Sequence, residues 1–468
     1  MSGASISCSG GRTETVPDVT WHRRRLPEYE FVYFYPPARA LVPMPPEAVF
    51  ARPLARRAGE FRPALYVHVP FCTGRCTYCH YTRWTLRRGD RETLEVYLTE
   101  LEREMVLVTE CMPFAGARID ALHVGGGTPS VLTCDQIRRL MASVKRNFCL
   151  SNEAEITWEA SPETLLDGKG EKVDSLLACG VNRLNIGAQS FEDPLLKVAG
   201  RRHSAADVAR VFEMARGKGF RNINVDLIYG LPRQTPEHWE HTLDVLGQLL
   251  PESVTCYQLR LKVGTPMAQL APSQFPDEGT CLQMRRQVLD KLAGFGYRPW
   301  QPNQFVLQDE YIYRYLRSKW RGPAEVVGIG VSAYSFVNNC MYMNCRALDE
   351  YYSRVRVGQL PILIGKKLSR QQEMAKAVVL GIKVLPDGVD KKGFMQRFGV
   401  SVESVYGQTL ARLEAAGVVD STSEHLRLTR DGLLFADEVC VALYAEEDKE
   451  ALKEAGASRY GAYLDVVS

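Results

Sequence analysis

The chain has 468 residues, 45% hydrophobic and 24% charged, a composition typical of soluble globular proteins and long enough for more than one core. Its formal net charge is +3, which gives no reason to expect nucleic acid or a membrane surface as the main partner. No apolar run is long enough to span a bilayer, and the start M-S-G-A-S-I-S-C-S-G-G-R lacks the apolar stretch of a secretory signal, so the expected location is cytoplasmic.

Residues 1–60 read as an irregular N-terminal arm. It carries a basic patch at His22 to Arg25 and then five aromatic residues between Tyr29 and Tyr35, ending in Y-P-P. Such a run is a liability in water and is expected to pack against the body of the protein. From residue 65 short β-rich runs alternate with helical patterns. The expected strands are 65–70, 121–126, 155–160, 183–189, 222–230 and 253–261, with helical periodicity over Leu94 to Val108 and Ala205 to Ala215. This alternation predicts an α/β fold, an incomplete TIM-like (β/α)6 barrel with its chemistry at the C-terminal ends of the strands. A helix at 281–294 and a strand at 326–336 extend it. Three helical patterns at 369–384, 391–398 and 402–416 precede L-R-L-T-R-D-G, which reads as a β-wing. The expected organisation is therefore an arm at 1–60, a partial barrel with its extension at 61–365, a winged-helix-like helical module at 366–445, and a tail at 446–468.

Three of the thirteen cysteines cluster, in C-T-G-R-C-T-Y-C-H-Y directly after the first expected strand. A structural zinc site would ask for a second ligand pair, and although His80 adjoins Cys79, no such pair is evident. A disulfide framework does not suit a reducing compartment. Three thiolates at C-x3-C-x2-C spacing suit three irons of a four-iron cluster, with the fourth iron open to a small molecule. The reading is thus Cys72, Cys76 and Cys79 as metal ligands.

This cluster resembles that of the radical S-adenosylmethionine (SAM) superfamily. The set Y-V-H-V-P-F-C, G-G-G-T-P-S, G-A-Q-S-F, N-V-D-L-I-Y-G-L-P-R-Q-T and G-I-G-V-S-A-Y-S is similar, in the same order, to the HemN-like branch, which contains oxygen-independent coproporphyrinogen III dehydrogenase. The resemblance runs from about Tyr66 to Ala442. It implies a [4Fe-4S] cluster on Cys72, Cys76 and Cys79, whose open iron chelates SAM and breaks it to a 5′-deoxyadenosyl radical. For the first SAM it implies contacts from Tyr66, Tyr78, Gly126, Gly127, Thr128, Glu159, Gln189, Arg201 (with Arg202 as the neighbouring alternative) and Asp226. Asp226 also stands out as a carboxylate inside an apolar strand, where it needs hydrogen-bond donors. For a second SAM the matching positions are Ile228, Gln258 and Tyr334.

Within the branch the chain looks most like the class C methyltransferase and cyclopropane-forming group. The Y-P-P arm resembles theirs, and Tyr81 stands where the coproporphyrinogen enzymes carry a fourth cysteine. That resemblance implies a second SAM as one-carbon donor to an sp2 carbon of an aromatic or unsaturated natural-product intermediate. It also implies a reduced flavodoxin or ferredoxin as electron donor, and a separate methyltransferase completing the reaction. Oxidative decarboxylation of coproporphyrinogen III and haem handling are the alternatives. Tyr33, Tyr35 and the segment from Trp300 to Phe305 are candidates to line the substrate pocket.

Overall fold

The computed structural model describes residues 32–50, 62–87, 90–111, 117–262, 264–320, 325–385 and 387–454. The basic patch at His22 to Arg25, and Tyr29 and Phe31 of the aromatic run, lie outside the described residues. The described residues form two compact units, 41–368 and 32–40 together with 369–454.

In the larger unit, six strands run in the order of the sequence: β1 (Ala64–Val69), β2 (Ile119–Gly126), β3 (Leu150–Ala160), β4 (Arg183–Gln189), β5 (Ile223–Tyr229) and β6 (Ser253–Gln258). Each pairs with the next in parallel. Parallel neighbours need a crossover, and helices such as Arg91–Cys111, Cys134–Asn147, Ala205–Lys218 and Pro236–Leu249 fill the intervals. Three of these begin on a capping box, at Thr133, Ser204 and Thr235, so local chemistry fixes where each helix starts.

The sheet does not stop at six strands. Val326–Ile329 pairs in parallel with β1, and antiparallel strands extend both sides to give a mixed sheet of thirteen among the described residues. The expected strand at 326–336 is two strands, Val326–Ile329 and Tyr334–Val337. The chain reverses at Gly330 (φ +110°) and Ser332 (φ +59°), a left-handed turn that an apolar run alone does not reveal.

The pleat separates the core strands into two chemistries. Leu65, Val67, Leu122, Val124, Ile156, Trp158, Leu184, Ile186, Val225, Leu227, Val254 and Cys256 lie on one face and are buried. The alternate positions are Tyr66, His68, His123, Thr157, Glu159, Arg183, Asn185, Asn224, Asp226, Ser253 and Thr255. The polar set falls in register across the sheet: Tyr66 beside His123, His123 beside Thr157, Glu159 beside Asn185, Asn185 beside Asn224, and Asp226 beside Thr255.

The smaller unit carries the helices Arg370–Gly381, Lys391–Phe398 and Val402–Ala415, a three-stranded antiparallel sheet, and three short helices ending at Glu454. Residues 32–40 of the arm are built into it. Val32 N–H donates to Asp437 at 3.3 Å, Lys383 pairs with Asp437 at 3.1 Å, and the Tyr35 hydroxyl bonds Asp448 while its ring meets Tyr444 edge-on at 5.1 Å. Tyr35 is only 1% exposed, so its aromatic surface is consumed by packing rather than offered to a substrate.

The G-I-G-V-S-A-Y-S turn is held by one carboxylate of the larger unit. Glu104 is buried and accepts from Gly330 N–H at 2.7 Å, Tyr351 hydroxyl at 2.6 Å and Asn344 amide at 2.7 Å. Burial pushes its carboxyl up from 4.5 to about 7, against the pull of those donors. Between those values the folded chain holds a proton that the unfolded chain releases. Glu104's share of stability therefore falls as pH rises through that window and is level above it, by at most about 1.4 kcal/mol per pH unit. Urea unfolding across this pH range should show Glu104→Gln flattening the slope. Glu104→Ala, which strands the Gly330 N–H and the Tyr351 hydroxyl, should cost about 3 kcal/mol at the acid end of this window and less as pH rises through it.

Candidate active site

The expected site residues converge because consecutive parallel strands deliver their C-terminal ends side by side. Cys72 closes a two-residue strand just past β1. Gly126 ends β2, Glu159 stands one residue from the end of β3, Gln189 ends β4, Asp226 and Ile228 are on β5, and Gln258 ends β6. Tyr334 lies on the other side of β1, across Val326–Ile329, with its ring 5.5 Å from that of Tyr66.

The three-cysteine loop is pinned at several points. Leu86 N–H donates to Cys72 O, Thr77 N–H to Ala199 O, Thr77 hydroxyl to Val198 O, Met267 N–H to Thr77 O, and Cys79 N–H to Cys76 O. All three thiols are free and half-buried. Thr128 hydroxyl donates to Cys72 Sγ at 3.6 Å, and Arg201 Nη1 to Cys76 Sγ at 3.2 Å while its Nη2 holds Gly187 O at 2.8 Å. Arg83 donates to Cys79 O at 2.9 Å. Burial pushes the Cys72 thiol up to about 11, and the neighbouring Cys79 and Cys76 push it further while Thr128 and Arg83 oppose. Burial raises Cys79 as well, with Arg83 opposing. Thiols that resist ionisation together call for a compensating positive charge. Among the described residues no three His, Cys, Asp or Glu side chains gather closely enough to hold a single metal ion, and corners of a four-iron cube are set wider than ligands of one ion. His80, the alternative ligand, packs its ring at a tilt on Tyr81, centroids 4.5 Å apart.

The glycine run forms a cradle. Gly127 N–H donates to Val69 O, and Gly126, at φ +119°, donates its N–H to Glu159 Oε2 at 3.1 Å. A Cβ at Gly126 would stand 2.8 Å from the His68 ring, and one at Gly127 2.7 Å from Phe71 O. Glu159 Oε1 meets His123 Nε2 at 3.0 Å. Gln189 sits at φ +74° where the β4–β5 register slips, a bulge that re-aims its side chain. Asp226 accepts from Asn224 amide at 2.7 Å, and burial raises its carboxyl to about 6, with Thr255 opposing and Glu159 adding to the rise. Tyr78 packs on the apolar group of Leu195, Ala199, Ile228, Leu231 and Met267. Arg202, the alternative to Arg201, lies over Gly74 instead. The Trp300 to Phe305 segment forms an edge hairpin with Trp300 and Phe305 buried.

Sequence reasoning missed His123, Tyr313 and Arg83. A histidine in A-L-H-V-G-G, two residues before the glycines, was the available signal, because a buried parallel strand is ordinarily apolar on both faces.

Residues 66–246 match the radical SAM superfamily, and residues 368–435 match the HemN C-terminal domain. The heme chaperone HemW of Bacillus subtilis is 28% identical over 388 residues, covering 81% of this chain and 99% of that protein. Oxygen-independent coproporphyrinogen III oxidase of Escherichia coli is 28% identical over 394 residues, covering 81% of this chain and 84% of the enzyme. The solved structure of coproporphyrinogen III oxidase (HemN) from Escherichia coli, a radical SAM enzyme, superposes with a TM-score of 0.79 at 27% identity, covering 89% of this chain and 97% of that one.

These relatives overturn the expectation of a methyltransferase or cyclopropane-forming enzyme of natural-product biosynthesis, since they are tetrapyrrole oxidases and heme chaperones. The Y-P-P arm and Tyr81 in place of a fourth cysteine carried that expectation; Tyr35 is occupied in packing against the C-terminal helices, and the two features do not outweigh the match to these relatives. The radical SAM family implies a [4Fe-4S] cluster and SAM, and the residues present fit both. One anchored loop offers three thiols, the glycine cradle is one that a Cβ would fill, and Thr157 Oγ1 and Asn185 Oδ1 are buried without a hydrogen-bond partner among the described residues. A radical SAM domain at 66–246 followed by a HemN C-terminal domain at 368–435, together with the likeness to the Escherichia coli structure, supports the HemN-like branch of the radical SAM proteins.

Proposed function

We propose that this chain is an oxygen-independent oxidase of carboxylated, reduced tetrapyrroles of the coproporphyrinogen III class. The observation that carries the reading is the match to the Escherichia coli oxidase, which takes in 97% of that chain and 89% of this one. Each propionate so oxidised loses a hydrogen atom, one electron and CO2 and becomes a vinyl group, with a one-electron acceptor taking the electron. When bound, the cluster and SAM supply the 5′-deoxyadenosyl radical that removes the hydrogen atom.

The chain's own residues bind and orient. Cys72, Cys76 and Cys79 hold three irons. Tyr78, backed by the Ile228 apolar group, shields them from water. Gly126, Gly127 and Thr128 let the backbone approach the methionine end of SAM, and the Arg201 fork faces its carboxylate. Asp226 accepts from ribose hydroxyls, and Glu159, Gln189 and Tyr66 complete the pocket. Ile228, Gln258 and Tyr334 are positions for a second SAM. A reduced flavodoxin or ferredoxin is the fitting electron donor. The consecutive parallel strands read as a partial barrel, and the helices and small sheet after residue 368 as a winged-helix-like module.

Haem handling is the second reading, favoured by the match over 99% of the Bacillus subtilis heme chaperone and by Tyr81 at the position where the oxidases resemble one another in a further cysteine.

The deciding experiment supplies anaerobically reconstituted protein with SAM, a one-electron reductant and coproporphyrinogen III. CO2 release with 5′-deoxyadenosine is expected. Tight haem binding without CO2 would transfer the assignment to haem handling, and neither result would end both readings. Cys76→Ala should abolish cluster absorbance and SAM cleavage together; full iron content in that variant would refute the ligand assignment. Gly126→Ala places a Cβ against His68 in a left-handed backbone conformation. It should lose about 1–3 kcal/mol of stability and most SAM affinity, as read by thermal unfolding and equilibrium dialysis. Wild-type values on both would show that no close backbone approach is needed there.

A further inference from the structure

Behind Glu159 stands a hydrogen-bonded chain that none of the family motifs accounts for. His123 is buried on β2, two residues before the glycine cradle. Its Nε2 meets Glu159 Oε1 at 3.0 Å, and its Nδ1 meets the Tyr313 hydroxyl at 2.6 Å. Tyr313 is buried too, with the Arg183 guanidinium 4.7 Å over its ring. Arg183 is itself fixed by Asn222, Ser253 and Tyr311 O at 2.8–3.0 Å. The His123 ring further packs in a cluster with Tyr66 at 5.5 Å and Tyr315 at 5.0 Å, whose own centroids are 6.1 Å apart.

The donors and acceptors run in one direction. A carboxylate only accepts, so the His123 proton belongs on Nε2. Nδ1 is then an acceptor, and the Tyr313 hydroxyl donates to it. Glu159 Oε2 takes the Gly126 N–H at 3.1 Å. Both carboxylate oxygens are thereby held from the protein side, while the side chain keeps 36% of its surface exposed. The carboxylate cannot turn away from a ligand in the cradle without breaking one of these bonds.

We propose that His123, oriented by Tyr313, is a positioning residue that fixes the Glu159 carboxylate for SAM. The inference rests on the reading of Glu159 as a SAM contact. The arrangement works as outer partners do in metal sites, where a second hydrogen bond sets the ring tautomer and so the direction of the first. The role belongs to ligand capture, so its loss weakens SAM binding while the thiol loop still takes up iron.

The test uses full-length, cluster-reconstituted protein and reads SAM dissociation constants by equilibrium dialysis, with iron content, thermal unfolding and the shift that SAM causes in the reduced cluster's EPR spectrum. Glu159→Gln is measured first. If it binds SAM as wild type does, the underlying reading of Glu159 fails, and this proposal with it. If it weakens binding, His123→Leu should weaken it about tenfold at unchanged iron content. His123→Gln, whose amide reaches the Nε2 position, should recover binding to within about threefold of wild type. Tyr313→Phe, the mildest change, should weaken binding severalfold and blunt the EPR shift. A purely structural role would lower unfolding temperatures and leave the dissociation constants alone, which would overturn the proposal. Should His123→Leu fail to fold, Tyr313→Phe decides: wild-type affinity and an intact EPR shift in that variant refute it.

Discussion

The constraint on which the site depends is a row of polar side chains buried on one face of six parallel strands. A hydroxyl or amide taken from water without a partner costs about 1–3 kcal/mol, and an ionised carboxylate more. Tyr66, His68, His123, Thr157, Glu159, Arg183, Asn185, Asn224, Asp226 and Thr255 occupy that face. The structure meets most of this cost internally. Tyr66 bonds His68 at 2.6 Å, His123 bonds Glu159 and Tyr313, Arg183 bonds Ser253, and Asn224 bonds Asp226 and Thr255. What is left over is informative. Thr157 Oγ1, on β3 two residues before Glu159, and Asn185 Oδ1, on β4 between Glu159 and Asn224, have no partners among the described residues. A face built only for stability would carry Val and Ile at these positions, as the opposite face does. The polar face is therefore explained by a polar ligand.

Rigidity follows from the same strands. The thiols sit on a loop, and a loop left to itself would not hold three ligands in fixed geometry. This one is fastened to the 198–199 turn through Thr77, to Met267 beyond β6, and to the strand end at Phe71, whose carbonyl accepts from Thr128. Gly126 and Gly127 are the reason the fastening is tight, since a Cβ at either would push on His68 or on the Phe71 backbone. The G-G-G-T-P motif thus joins the cysteine loop to the Glu159 carboxylate through main-chain contacts, and a change to one is felt by the other.

The parallel core was legible because every strand reads as an apolar run with turn residues at its end, and the cysteine spacing is specific on its own. The alternation of polar residues was equally present in L-Y-V-H-V, E-I-T-W-E-A and N-I-N-V-D-L-I-Y, but which polar residues would meet depends on register, and register is set across strands that are 25 to 60 residues apart. His123 and Tyr313 are 190 residues apart and share no motif. The left-handed turn at Ser332 was hidden because a serine carries no strong turn signal inside V-V-G-I-G-V-S-A-Y-S-F. The arm was misread for a different reason. An aromatic run must bury itself somewhere, and sequence could not distinguish a ligand pocket from the partner that Tyr35 has in Tyr444 and Asp448.

The charge balance of the site then limits what it can hold. Burial raises the Asp226 carboxyl to about 6, and the nearby Glu159 carboxylate adds to the rise. In the cysteine loop, burial raises the Cys72 thiol to about 11 and raises Cys79 as well. Arg201 and Arg83 answer only part of this negative potential, because Arg201 is shared between Cys76 Sγ and Gly187 O and Arg83 is turned to Cys79 O. An anionic ligand placed over Glu159 and Asp226 would meet two carboxylates in a weakly screened pocket. A ligand with cationic centres and hydroxyl donors would lower the energy of the whole group, and its one carboxylate would have to face Arg201. A sulfonium bearing an ammonium, a ribose and a single carboxylate meets each of these demands at once. On the proposed reading, selectivity for SAM would come from the same polar groups that a purely structural core would have to replace.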